Sequence, residues 1–171
     1  LKLLFIENNG MAFGMELGSK IILSLFRIVA ISFLAYYIWL EVRWKARTGY
    51  IVCLSMILAG AAGNLVDCMF YGLIFSASSA YYVSYLVPFG SGYAPFLMGK
   101  VVDMFYFPLI ETEWPQWMPF VGGEHFVFFS PVFNFADSAI SVGVVLLILF
   151  YREEISNISL KKVKENVNEE K

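Results

Sequence analysis

Three long apolar stretches organise the chain. The first runs over about 20–40, as IILSLFRIVAISFLAYYIWL after Lys20, and Arg27 is the one charge inside it. The second runs over about 50–71, YIVCLSMILAGAAGNLVDCMFY, and the third over about 131–151, PVFNFADSAISVGVVLLILFY. Each matches the roughly 20 residues that a helix needs to cross the hydrocarbon layer. Pro131 suits the opening turn of the third helix. The pattern predicts a mainly α integral membrane protein, a transmembrane helix bundle with three spans in this sequence.

Between the second and third spans, residues 72–130 read differently. Short β-like stretches, VVDMFYF and EHFVFF, lie among Gly and Pro turns. Aromatic residues are dense there, from Tyr81 to Phe129, as expected of a segment at headgroup level. The segment predicts a small β-rich cap on the membrane, with a short interfacial helix near 76–87. From about 157 the chain is rich in Lys and Glu, which predicts a charged, frayed tail. The expected organisation is therefore one membrane-embedded domain over 1–156 and a tail over 157–171.

Charge sets the orientation. The link 41–49 holds Arg43, Lys45 and Arg47, and the tail holds Arg152, Lys161, Lys162, Lys164 and Lys171. Segment 72–130 holds only Lys100. The positive-inside rule puts the link and the tail in the cytoplasm and 72–130 outside. Residues 1–19 then also start outside, which predicts a preceding span before Leu1. Of the 171 residues, 59% are hydrophobic and 15% charged, far from a soluble domain's composition. A formal net charge of −2 with no basic stripe argues against a nucleic-acid partner.

Ionisable groups at membrane depth are costly and mark function. The candidates are Arg27, Asp67, Asp103 and Asp137, with the amides Asn64 and Asn134. Asn64 and Asp67 stand three apart near the outer end of the second span, and Asn134 and Asp137 repeat that spacing in the third. Residues three apart share a helix face. The stretch Gly60, Ala61, Ala62 and Gly63 lets another helix approach closely. Two carboxyls at one site cannot easily both ionise, so one serves as base and the other as acid. Helix symmetry alone would pair Asp67 with Asp137. Capping, turn and ion-pair roles compete for each of these residues.

Other chemistries fit less well. Cys53 and Cys68 fall in one predicted helix, about 22 Å apart, which is too far for a disulfide. His125 is the single histidine and has no nucleophile motif around it, and zinc would need more ligands than these. No metal or cofactor is expected.

Four boxes, ENNGMAFG at 7–14, GAAGNLVD at 60–67, GKVVDMF at 99–105 and FNFADSAI at 133–140, resemble the later sequence boxes of lipoprotein signal peptidase, signal peptidase II. Their order matches, and they span most of the chain. The resemblance implies a four-helix inner-membrane aspartyl peptidase with a periplasmic β-cradle. Such an enzyme cleaves prolipoproteins before a diacylglyceryl-modified cysteine and is inhibited by globomycin. It implies catalytic roles for Asp103 and Asp137, and substrate or inhibitor contacts for Asn8, Gly60, Asn64 and Asn134. Asp67 takes a structural role. Implied partners are lipid-modified signal peptides and membrane lipids, with a monomer expected at the bacterial inner membrane and the site at the periplasmic face. Three departures stand out. Cys68 occupies a position usually held by Arg, the stretch 73–98 is an insertion, and the first box, on the first helix, is absent from this sequence.

Two rival readings belong to other classes. Buried Asp/Asn pairs also line ion or proton pathways of small coupled transporters, although no inverted repeat is visible here. A non-catalytic membrane scaffold with an aromatic partner-binding cap is the third.

Overall fold

The computed structural model describes residues 1–8, 20–79 and 81–156. The predicted tail at 157–171 and positions 9–14 of the first box lie outside the described residues. Strand β1 (Lys2–Asn8) is followed by helices α1 (Lys20–Arg43) and α2 (Thr48–Ile74), then strands β2 (Val101–Tyr106), β3 (Ile110–Glu113), β4 (His125–Phe128) and β5 (Val132–Phe133). Helices α3 (Phe135–Phe150) and α4 (Arg152–Ser156) close the described chain.

Among the described residues, two helices, α1 and α2, are long and apolar enough to cross a membrane. Along α1, Ile22, Phe26, Val29 and Phe33 recur at helical spacing and stay exposed, Phe33 at 72%. A solvent of lipid makes such a stripe favourable, where water would penalise it. The third apolar helix is shorter than expected. It begins at Phe135 rather than near Pro131 and covers 16 residues. The cause is the sheet: Val132 and Phe133 pair with Tyr106 and Phe105 of β2, so the chain stays extended until Asn134.

The chain divides into two compact units. The first comprises Leu1–Phe26 and Asn64–Phe135. Its centre is an antiparallel three-stranded sheet in the order β1-β2-β5, beside a separate β3-β4 hairpin. The expected strands at VVDMFYF and EHFVFF are β2 and β4. Strand β1 carries no clean alternation in KLLFIEN, and a register shift between Leu3 and Ile6 interrupts its pairing with β2.

The interfacial helix expected near 76–87 is instead an antiparallel ladder. Phe75 bridges Leu86 and Ser79 bridges Tyr82, with Ser76 N–H donating to the Tyr85 carbonyl at 2.9 Å. Tyr81, Tyr82, Val83 and Tyr85 favour extended backbone. The Ser76 and Ser79 hydroxyls also accept from the backbone N–H groups of Tyr85 and Tyr81, at 3.1 and 3.2 Å. Such local bonds offer the chain an alternative to a helix.

The second unit comprises Arg27–Gly63 and the chain from Ala136 onward. Here α2 and α3 pack antiparallel. The backbone of α2 at Gly60 lies against Ala136 and Ile140, and that of α3 at Gly143 lies 2.8 Å, measured from a built Cβ, from the Cys53 carbonyl. A Cβ on Gly60 would overlap the Ala136 carbonyl oxygen and come within 2.7 Å of Ile140. The close approach read from GAAG is thus present. Beyond it, Tyr50, Cys53, Leu54 and Leu147 form a buried cluster. Glu41, 1% exposed, accepts from the Tyr37 hydroxyl at 2.9 Å, and Tyr37 meets the Tyr50 hydroxyl at the same distance. Both cysteines lie in α2 and are buried.

Helix α1 ends in a two-bond closure. Lys45 N–H donates to the Val42 carbonyl and Ala46 N–H to the Glu41 carbonyl, with Lys45 at φ 54°. This is the Schellman pattern, which normally favours glycine at the left-handed position.

Two stability outcomes follow from these contacts. Gly60→Leu should lower the thermal midpoint, at a cost of about 1–3 kcal/mol from overpacking. Lys45→Gly should raise it, by up to about 1 kcal/mol as left-handed strain is relieved. Thermal unfolding of the purified protein in detergent checks both.

Candidate active site

In the first unit, the first three residues of β2 are buried: Val101 at 1%, Val102 at 6% and Asp103 at 5% exposure. A carboxyl removed from water to this degree must be hydrogen-bonded. The sheet supplies the first partner. Ile6 of β1 stands opposite Asp103, and Asn8 stands opposite Val101. Side chains two residues apart on a strand share a face, so Asn8 becomes the diagonal neighbour of Asp103. Its amide Nδ2 donates to Asp103 Oδ2.

The second partner arrives from the other edge of the sheet. Strand β5 pairs with the end of β2, and Asn134 is the first residue after β5. Asn134, 6% exposed, donates from Nδ2 to Asp103 Oδ1 at 2.8 Å and to Asn64 Oδ1 at 3.1 Å. The amide nitrogen must face Asp103 there, since a carboxylate only accepts. Packing of Phe105 against Phe133 and Phe135, with ring centroids 6.0 and 4.7 Å apart, holds this exit from the sheet. Both oxygens of Asp103 thus accept from amides carried on separate elements.

The sequence-predicted residues fall out as follows. Asn8, Asn64, Asp103 and Asn134 converge in one cluster. Asp67 lies one turn beyond Asn64 on α2, half-buried, and near enough to Asp103 for their charges to interact. Asn134 precedes α3 rather than lying in it, so the matched helix faces read from spacing are replaced by a helix face and a strand exit. Asp137 sits three residues after Asn134, in the first turn of α3. Asp137 and Gly60 belong to the second unit, where Gly60 contacts Ala136. Arg27 is half-buried in the second turn of α1.

Several contributors are residues that the sequence reading did not single out. Gly99 N–H donates to the Cys68 carbonyl at 2.9 Å, and a Cβ on Gly99 would come within 2.7 Å of the Asp67 carbonyl. This contact returns segment 73–98 to α2 just before β2 begins. The Ser24 hydroxyl, buried in α1, donates to the Leu97 carbonyl at 2.8 Å and fixes the same return. Glu7 and Lys100 form an ion pair at 2.9 Å beside Asn8. Two signals were available: Glu7, Gly99 and Lys100 lie within the boxes ENNGMAFG and GKVVDMF, and Lys100 is the single cation between residues 72 and 130.

The profile of the Signal peptidase (SPase) II family matches residues 1–152. The lipoprotein signal peptidase of Porphyromonas gingivalis is 56% identical over 153 residues, covering 89% of this chain and 67% of that protein. That of Amoebophilus asiaticus is 37% identical over 158 residues, covering 90% of this chain and 62% of that protein. That of Chlorobium phaeobacteroides strain BS1 is 30% identical over 151 residues, covering 88% and 72%. The aligned stretch spans about two thirds of the length of these relatives. With a profile match over nearly all of its described residues, the chain belongs to the membrane-embedded signal peptidase II family of aspartic-type peptidases.

Proposed function

We propose that the protein removes signal peptides from diacylglyceryl-modified prolipoproteins, cleaving before the lipidated cysteine, with Asp103 and Asp137 as its acid–base pair. The observation that carries this reading is the buried Asp103 carboxyl, held on both oxygens by the amides of Asn8 and Asn134. A carboxylate that only accepts fits the ionised partner, the base that takes a proton from water. Asp137 then takes the role of proton donor to the scissile carbonyl oxygen. Water adds to the carbonyl carbon, and the resulting tetrahedral species breaks its C–N bond as Asp103 passes the proton taken from water to the leaving amine and Asp137 recovers its proton from a hydroxyl of that species. Asn64 and Asn134 orient carboxyl and substrate backbone, Asn8 and Gly60 line the substrate path, and Asp67 serves the structure.

The substrate enters sideways from the lipid, with its acyl chains along the exposed apolar stripes of the helices. The protein lies in a bacterial inner membrane as a monomer, with a periplasmic β-rich cradle and the site at the periplasmic face. The cluster of Arg43, Lys45 and Arg47 against the lone Lys100 of 72–130 supports that orientation. Three spans are proposed, α3 being the third. Globomycin-type inhibitors would compete at the same site. The ion-coupled transporter reading is not favoured, because the matched family consists of peptidases.

Purified variants test the pair. Asp103→Asn and Asp137→Asn should fold, yet lose at least about a thousandfold in kcat/KM on a lipidated prolipoprotein, as expected for members of one catalytic unit. Asp67→Asn should stay within about tenfold of wild type, the level of a supporting group. Wild-type-like turnover by either Asp103→Asn or Asp137→Asn would defeat the proposal. Asn134→Ala should lower kcat by about 10–100-fold, since a hydrogen bond to a charged group is worth about 1.5–3 kcal/mol. Steady-state cleavage of a fluorogenic lipopeptide reads that loss, and an unchanged kcat would remove Asn134 from the site.

A further inference from the structure

The insertion 73–98 and the first strand meet at one polar cluster that the peptidase chemistry does not use. Lys100 Nζ donates to Glu7 Oε2 at 2.9 Å. The Glu7 side chain is only 9% exposed, while that of Lys100 is 41% exposed. The Tyr93 hydroxyl accepts from the Lys100 backbone N–H at 2.6 Å, and the Lys100 ammonium lies 5.8 Å from the centroid of the Tyr93 ring. Burial of Tyr93 pushes its phenol pKa upward, so the hydroxyl stays neutral at physiological pH. Exposed ion pairs contribute little, but a carboxylate withdrawn from water this far needs its cation.

Position gives the cluster its meaning. Glu7 immediately precedes Asn8, and Lys100 stands three residues before Asp103. Glu7 pairs with Val102 and Asn8 with Val101 across the β1-β2 ladder. The ladder shifts register between Leu3 and Ile6, so the short stretch Ile6–Asn8 keeps its own pairing with Val101–Asp103. A one-residue slip would turn Asn8 to the other face and take its amide off Asp103. The Glu7–Lys100 pair locks the strand end that carries Asn8. Tyr93, from the insertion, locks the backbone of Lys100 in turn.

We infer that Glu7, Lys100 and Tyr93 are positioning residues, an ion-pair clamp that holds the Asn8 amide on Asp103 and gives the 73–98 insertion a part in catalysis. The inference rests on the peptidase reading with Asp103 as an active-site acid. It assigns the clamp no contact with substrate, so its loss should act on turnover rather than on binding.

The test is kinetic, on the full-length protein purified in detergent with a lipidated fluorogenic peptide. Glu7→Gln keeps the shape, removes the charge and leaves Lys100 partly solvated. It should lower kcat about tenfold, with KM within about twofold and the thermal midpoint near wild type, in the range seen when partners of active-site ligands are removed. Tyr93→Phe should lower kcat a few-fold, by loss of one hydroxyl bond. Lys100→Arg preserves the pair and should stay within about threefold of wild type, whereas Lys100→Met should fall with Glu7→Gln. In an Asn8→Ala background, Glu7→Gln should cause no further loss, because the amide it positions is gone. The inference is overturned if Glu7→Gln turns over like wild type. It is also overturned if the loss in kcat follows a matching loss of stability without rescue by Lys100→Arg, or if Glu7→Gln and Asn8→Ala multiply. If Asp103→Asn itself retains full activity, the peptidase reading fails instead, whatever the clamp variants do.

Discussion

A buried carboxyl must find donors, and much of the first unit is arranged to bring two of them to Asp103. Each oxygen accepts one amide N–H, from Asn8 on one side and Asn134 on the other. Neither amide is near Asp103 in sequence. The β1-β2 register delivers the first, and the short β5 pairing delivers the second. Burial at 5% exposure makes either loss expensive, since an unsatisfied charged group in the interior forfeits its solvation. Asn134 also spends a bond on Asn64, which ties the strand exit to α2.

That constraint explains why residues distant from the chemistry are so specific. Asn134 is placed by an extended pair of residues that shortens α3 from its N-terminal side. Gly99 tolerates no Cβ, because the chain returning from segment 73–98 passes directly over the carbonyls of Asp67 and Cys68. Ser24 reaches from α1 to the Leu97 carbonyl, where the backbone takes a left-handed turn at φ 67°. In the second unit the constraint is steric rather than polar. Gly60 brings α2 against Ala136 and Ile140 near the start of α3, the helix whose first turn carries Asp137.

The parts legible in sequence were those with long periodicity or a dense motif. Helices α1 and α2 declared themselves through uninterrupted apolar runs, and the later boxes of a peptidase family marked Asn64, Asp103, Asn134 and Asp137. Spacing by itself misled on two points. It placed Asn134 on a helix, because equal i, i+3 intervals look alike whether or not the backbone is helical, and it treated the two Asn/Asp pairs as equivalent, although only one lies wholly on a helix. The ladder at 74–87 read as a helix since apolar density gives no period over so short a run, and the serine bonds that decide it depend on tertiary placement. Strand β1 was invisible, its pattern broken by the register shift. Glu7 and Lys100 lie 93 residues apart, and no local signal links them.

The central claim is that Asp103 and Asp137 act as one unit, and single-turnover cleavage with enzyme in excess tests it most directly. Rates of Asp103→Asn, Asp137→Asn and the double variant would be compared on one lipidated peptide. Residues that act together lose most of their effect at the first substitution. The double variant should therefore be no slower than the slower single variant. Losses that multiply across the two positions, or a single variant that keeps the wild-type rate, would contradict the account.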